Sequence, residues 1–220
     1  MTTFQDMMGR TPAVTNLLIA NIVAYLAAQL LDTLQIYELF ALFPTGSPFF
    51  EWWQPVTYMF LHGDFTHLFF NMFALWMFGK QIEMDLGTKR FLIYYFACGV
   101  GAALVQLGIA QIDIANLSEM SWLAVTRYLC TPTLGASGAI FGLLLAFGML
   151  HPNATIMLLI PPIPMKAKWF VVIYGLLELG FIFLAPNDGV AHFAHLGGMF
   201  FGWLLLVFWM RRARNRNYYN

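Results

Sequence analysis

The chain has 220 residues, of which 60% are hydrophobic and 10% charged, and it carries no net charge. A soluble domain has about a quarter charged residues, so this balance and the positive mean hydropathy exclude an ordinary soluble domain and place the chain in the membrane class. At about 20 residues per span the length allows roughly six helices and no separate soluble domain.

In chain order, residues 1–12 are polar with one arginine and no short apolar core, so they are expected to be a cytoplasmic segment rather than a signal peptide. Six apolar segments follow. They cover Ala13 to Leu31, Phe65 to Gly79, Phe91 to Ile112, Leu134 to Leu150, Ala167 to Leu184 and Val190 to Met210. The second, fourth and fifth are short for a lipid-facing span. Short helices shielded by longer neighbours end beneath the surface at a water-filled cavity. Cys98 and Cys130 lie far apart and form no disulfide framework or zinc motif.

Basic residues set the orientation. Arg10, Lys80, Lys89, Arg90, Lys166, Lys168, Arg211, Arg212, Arg214 and Arg216 fall on one side of six alternating spans, and only Arg127 falls on the other. The fold expected is therefore an all-α membrane protein, a six-transmembrane-helix bundle with both termini cytoplasmic. Residues 13–210 form the membrane domain and 211–220 a basic cytoplasmic tail. The first outer loop, with Phe40, Phe43, Phe49, Phe50, Trp52 and Trp53, suits the headgroup layer.

Segments two, four and six enter from outside in the same direction. His67 and Asn71 share a face near the start of segment two. Ser137 lies in the first turn of segment four, and His195 in the second turn of segment six. A hydroxyl, an imidazole and amide donors thus reach one shallow depth, where polar groups are costly without a function. Acyl transfer uses such a set. A histidine activates the serine and later protonates the leaving amine. Asn71, His67 and the unpaired backbone N–H of Ser137 could hold an oxyanion. Segment-six Gly198-x-x-x-Gly202 reads as a packing face that lets it approach segment four. No Asp or Glu is obviously placed to orient His195, so the reading is a Ser–His dyad, and Asp188 could cap segment six.

These residues resemble the rhomboid family of intramembrane serine proteases. The match is Gly135-Ala136-Ser137-Gly138, His67-x-x-x-Asn71, Ala194-His195-x-x-Gly198-x-x-x-Gly202 and Gly79-x-x-x-Glu83, in order over essentially the whole chain. The resemblance implies the six-span rhomboid bundle, Ser137 as nucleophile, His195 as general base, and His67 with Asn71 around the oxyanion. It also implies cleavage of single-span membrane proteins near the outer face through an acyl-enzyme. Family members often carry tyrosine four residues after the serine. Here Phe141 can stack on the imidazole but has no hydroxyl.

His192 is expected at the water boundary, His62 solvated, and His151 at a helix end. Glu83 is expected to be a hydrogen-bond hub or an ion-pair partner of Lys80 or Arg90. Glu178, mid-segment, is expected to be neutral and hydrogen-bonded, and Glu178→Gln to leave labelling of Ser137 intact. The partners expected are transmembrane protein substrates and the lipid bilayer, with no nucleic acid, metal or cofactor, in a bacterial inner membrane. Two other classes compete. One is a catalytically inactive rhomboid-like binding or trafficking factor, which would typically lack the serine or the histidine. The other is a haem or metal protein using His67, His192 and His195, for which the glycine-flanked serine has no use.

Overall fold

The computed structural model describes residues 11–31, 33–118, 121–157, 162–185 and 189–218, without the side chains of residues 33 and 214–218. Arg10, Asp188 and the side chains of Arg214 and Arg216, which entered the orientation and capping expectations, lie outside the described residues. Helices dominate, in the order α1 (Pro12–Leu30), α2 (Thr33–Phe40), α3 (Gln54–Thr57) with a 3₁₀ turn Tyr58–Phe60, and α4 (Phe65–Ala74). A π-helical turn, Leu75–Gly79, carries α4 directly into α5 (Lys80–Leu86). Then come α6 (Thr88–Ser118), α7 (Trp122–Leu129), α8 (Ser137–Leu150), α9 (Ala167–Leu184) and α10 (His192–Tyr218).

Among the described residues four helices are long and apolar enough to cross a membrane, namely Pro12–Leu30, Thr88–Ser118, Ala167–Leu184 and the His192–Ala213 part of α10. Their outer faces present large apolar side chains such as Val23, Leu176, Phe183 and Phe208. A belt of this kind is stable only against hydrocarbon. The chain is an all-α membrane protein with one small addition. An antiparallel hairpin, β1 (Thr155–Met157) and β2 (Pro164–Lys166), sits between α8 and α9 with Ile156 opposite Met165. Three-residue strands leave too little alternation to read in the sequence.

α8 lies innermost, against α6 and α10, and eight of its 14 residues are buried. At 1.5 Å per residue it is about 21 Å long, against about 30 Å of hydrocarbon. Gly198 of α10 meets α8 at Gly138, where a Cβ would overlap the Gly138 carbonyl. Gly202 instead faces α6, with a Cβ 2.5 Å from the Tyr94 hydroxyl oxygen. The glycine pair therefore brings α10 against both helices, not α8 alone. Gly198→Ala must separate two backbones, which cannot be relieved by a rotamer change. It is expected to cost about 1–3 kcal/mol or more, measurable as a lowered Tm in detergent.

The helix from Phe65 runs past Gly79 because Glu83 is needed beyond it. The two Glu83 carboxylate oxygens accept from the backbone N–H groups of Ala13 (3.0 Å) and Val14 (2.8 Å), and the Thr88 hydroxyl donates to one of them at 2.8 Å. An anion thus satisfies two orphan donors at the N-terminus of α1. Glu83 is a hydrogen-bond hub, and among the described residues its partners are these donors, not Lys80 or Arg90. His151, at the end of α8, meets the Asp85 carboxylate at 2.6 Å. Both cysteines are free.

Candidate active site

The loop leading into α8 is tied at two points. Leu42 and Thr133 exchange backbone hydrogen bonds of 2.9 and 2.8 Å, and the Gly135 N–H donates to the Tyr58 carbonyl at 3.0 Å. Gly135 has φ +124°, a left-handed conformation that favours glycine. A Cβ there would lie 2.8 Å from His67 Nε2. The turn can therefore bring the Ser137 end of α8 against His67 only with glycine at 135.

Ser137 is the first residue of α8, so its N–H has no intrahelical acceptor and lies at the positive end of the helix. Its hydroxyl oxygen is 2.8 Å from His195 Nε2. Phe141, one turn along α8, stacks on the His195 ring with centroids 4.3 Å apart and planes at 11°. The ring is thus clamped by a hydrocarbon face, with no hydroxyl contributed from that side.

The other edge of the imidazole is also held. His195 Nδ1 lies 2.9 Å from Glu178 Oε2, and His192 Nδ1 lies 2.6 Å from the same oxygen. An ionised carboxylate only accepts hydrogen bonds, so both rings then carry their proton on Nδ1. His195 Nε2 is left as a lone pair facing the Ser137 hydroxyl. This revises two expectations. An acid is placed to orient His195, and it is Glu178 from α9. His192, expected at the water boundary, is buried beside it and stacks on Phe181 at 5.5 Å. The sequence carried a signal for Glu178, as an acid inside an apolar span, but not the rotation that aims it at α10.

His67 and Asn71 lie on α4 as the sequence suggested. Asp64 caps this helix, its carboxylate accepting from the His67 N–H at 2.8 Å. One amide hydrogen of Asn71 goes to the His67 carbonyl at 2.9 Å, which leaves the second for another acceptor. His62 is buried, not solvated. It packs edge-on against His67 at 5.0 Å, and burial pushes its imidazole down to about 4. At neutral pH it is an uncharged wedge behind His67.

Ser137, His195, His67 and Asn71 all border one cavity of about 1860 Å³. Phe73 and Met77 line it from the α4 side, and Phe170 and Tyr174 from α9. Phe78, which also lines it, stacks with Phe170 at a ring-centroid distance of 6.1 Å. The Ser137 hydroxyl therefore borders a space walled in part by apolar and aromatic side chains.

A family model for the Rhomboid domain matches residues 50–212. The chain is 31% identical over 150 residues to "Rhomboid protein 1, mitochondrial" of Saccharomyces cerevisiae, covering 66% of this chain and 40% of that protein. It is 31% identical over 159 residues to "Rhomboid protease AarA" of Providencia stuartii, covering 71% and 56%. Identity to "RHOMBOID-like protein 5" of Arabidopsis thaliana is 32% over 159 residues, covering 71% and 45%. The chain thus spans about half the length of these relatives. The matched region contains α4, α8, α9 and α10 as far as residue 212, and with them every residue of the site. This multi-pass membrane chain belongs to the rhomboid family.

Proposed function

We propose that the chain is an intramembrane serine endopeptidase that cleaves transmembrane segments of single-span proteins near the outer face of the bilayer. The observation that carries this reading is the 2.8 Å contact between Ser137 Oγ and His195 Nε2 at the end of a buried helix. A relative named as a protease, AarA, supports the reaction class. The skewed placement of basic residues supports six spans with cytoplasmic termini. The membrane domain then covers 13–210, between a segment 1–12 and a tail 211–220.

In this reading His195 Nε2 takes the proton as Ser137 Oγ attacks the scissile carbonyl carbon. The resulting oxyanion is held by the Ser137 N–H, the second Asn71 amide hydrogen and a His67 Nε2–H. The imidazolium passes its proton to the departing amine, leaving an ester on Ser137. Water attacks that ester with His195 again accepting a proton, and the acid product leaves as Oγ is reprotonated. Glu178 is a positioning residue, fixing the His195 tautomer and balancing its transient charge. Substrates need a locally unwound stretch, because a helical peptide carbonyl is hydrogen-bonded and shielded. Such a stretch enters most easily between α4 and α9.

The test is cleavage of a fluorogenic transmembrane substrate by the purified protein in liposomes, with chelator present. Product is expected, and no product from the wild type would overturn the assignment in favour of a binding or trafficking role. In the same assay Gly135→Ala is expected to lower the rate about 10²-fold. Its Cβ moves His67, and an ångström-scale misplacement costs this much. An unchanged rate would remove His67 from the site.

A further inference from the structure

We propose that Glu178, His192 and His195 form a binding site for a divalent transition-metal ion of the zinc type, and that its occupation switches the Ser137 site off. The switching rests on the peptidase reading above, whereas the binding does not. Two imidazole nitrogens from the first turn of α10 converge on one carboxylate oxygen of α9, at 2.6 and 2.9 Å. The three ligand atoms all lie within 4.8 Å of one another. Two histidines and a glutamate are a set that zinc takes readily. Zinc would sit about 2.0–2.1 Å from each nitrogen, so the carboxylate oxygen need only retreat and follow the ion as its third ligand. His192 and His195 also border the cavity, which gives an aqueous ion a route to an otherwise buried place. Magnesium and calcium prefer all-oxygen ligands and would not compete.

The consequence for His195 follows from proton accounting. A neutral ring has one N–H. Coordination through Nδ1 moves that proton to Nε2, and no proton is gained or lost by the protein. The ring edge facing Ser137 then carries N–H in place of a lone pair. It can donate to Oγ but cannot accept its proton, so the hydroxyl loses its base. The ion also takes Glu178 away from its hydrogen bonds to both rings. The site is therefore poised between a catalytic arrangement held by hydrogen bonds and a silent one held by a metal.

The binding arm uses the Ser137→Ala protein, stripped with chelator and titrated with Co²⁺. One equivalent is expected to give visible d–d absorption, displaced by Zn²⁺, and Zn²⁺ is expected to raise Tm. In a second protein, Ser137→Ala with His192→Asn, the amide can still donate to Glu178 but ligates poorly. Its affinity is expected to fall at least about tenfold. The activity arm uses the Ser137-containing protein. Zn²⁺ is expected to abolish cleavage, EDTA to restore it, and Mg²⁺ to have no effect. His192→Asn, compared with its own metal-free rate, is expected to need about ten times more Zn²⁺. No cobalt band, or equal affinity in the His192→Asn background, overturns the site. A bound ion that leaves cleavage unaffected overturns the switch. If no condition yields cleavage, the peptidase reading has failed, and the cobalt titration still decides the site.

Discussion

Ser137→Ala is expected to remove substrate cleavage by on the order of 10³-fold or more, with the protein still folded and Tm little changed. The side chain is small, and its hydroxyl oxygen makes a single contact of note, to His195 at 2.8 Å. The Ser137 side chain borders an open cavity, so losing the hydroxyl leaves no buried void. His195→Ala is expected to reach a similar rate by a different route, since the hydroxyl then has no proton acceptor. Because the two act as one unit, the double variant should be no slower than either single one. Additive losses, measured as initial rates in liposomes, would mean that the two side chains work independently.

The second large effect is expected at Glu178. Glu178→Gln keeps the shape and an oxygen that can accept from both imidazoles, which meet a single carboxylate oxygen at 2.6 and 2.9 Å, but it removes the negative charge. Nothing then balances the charge that His195 gains as it takes the Ser137 proton. The turnover rate is expected to fall roughly 10²–10⁴-fold with KM little altered, as for a triad whose acid is replaced by its amide. Labelling of Ser137 should slow in parallel. The sequence suggested the opposite, intact labelling, because nothing in it showed that Glu178 faces His195. Glu178→Asp, which keeps the charge but shortens the reach, should recover part of the rate. A purely structural role would instead show as a fall in Tm common to both variants, with no difference between them in rate.

Much of this arrangement is legible in the sequence. Segment five reads as Ala167 to Leu184, and the helix has those bounds. The apolar stretch of segment three, Phe91 to Ile112, is shorter than its helix, which runs from Thr88 to Ser118, its polar ends reaching beyond the apolar residues. Segment two likewise loses its apolar character at Gly79, whereas the π turn and α5 continue to Leu86 to deliver Glu83 to α1. Local polarity marks where hydrocarbon stops, not where a helix stops.

At the site, the convergence of Ser137, His67, Asn71 and His195 on one cavity follows from helix direction and counting. The stacking of Phe141 followed from a spacing of four. The burial of His62 and His192 is not legible in the sequence, because burial of a loop histidine and of a first-turn histidine depends on tertiary neighbours, His67 in one case and Glu178 with Phe181 in the other. Glu178 was recognised as costly, but its partner depends on how α9 is rotated against α10. An apolar helix with little sided polarity does not reveal that rotation.

The most direct test is reaction of the bilayer-embedded protein with a fluorophosphonate, followed by mass mapping of the adduct. A single phosphonylated residue is expected at Ser137. It should be absent in Ser137→Ala and strongly slowed in His195→Ala. Modification elsewhere, or equal modification of all three proteins, would contradict a nucleophile at Ser137 activated by His195.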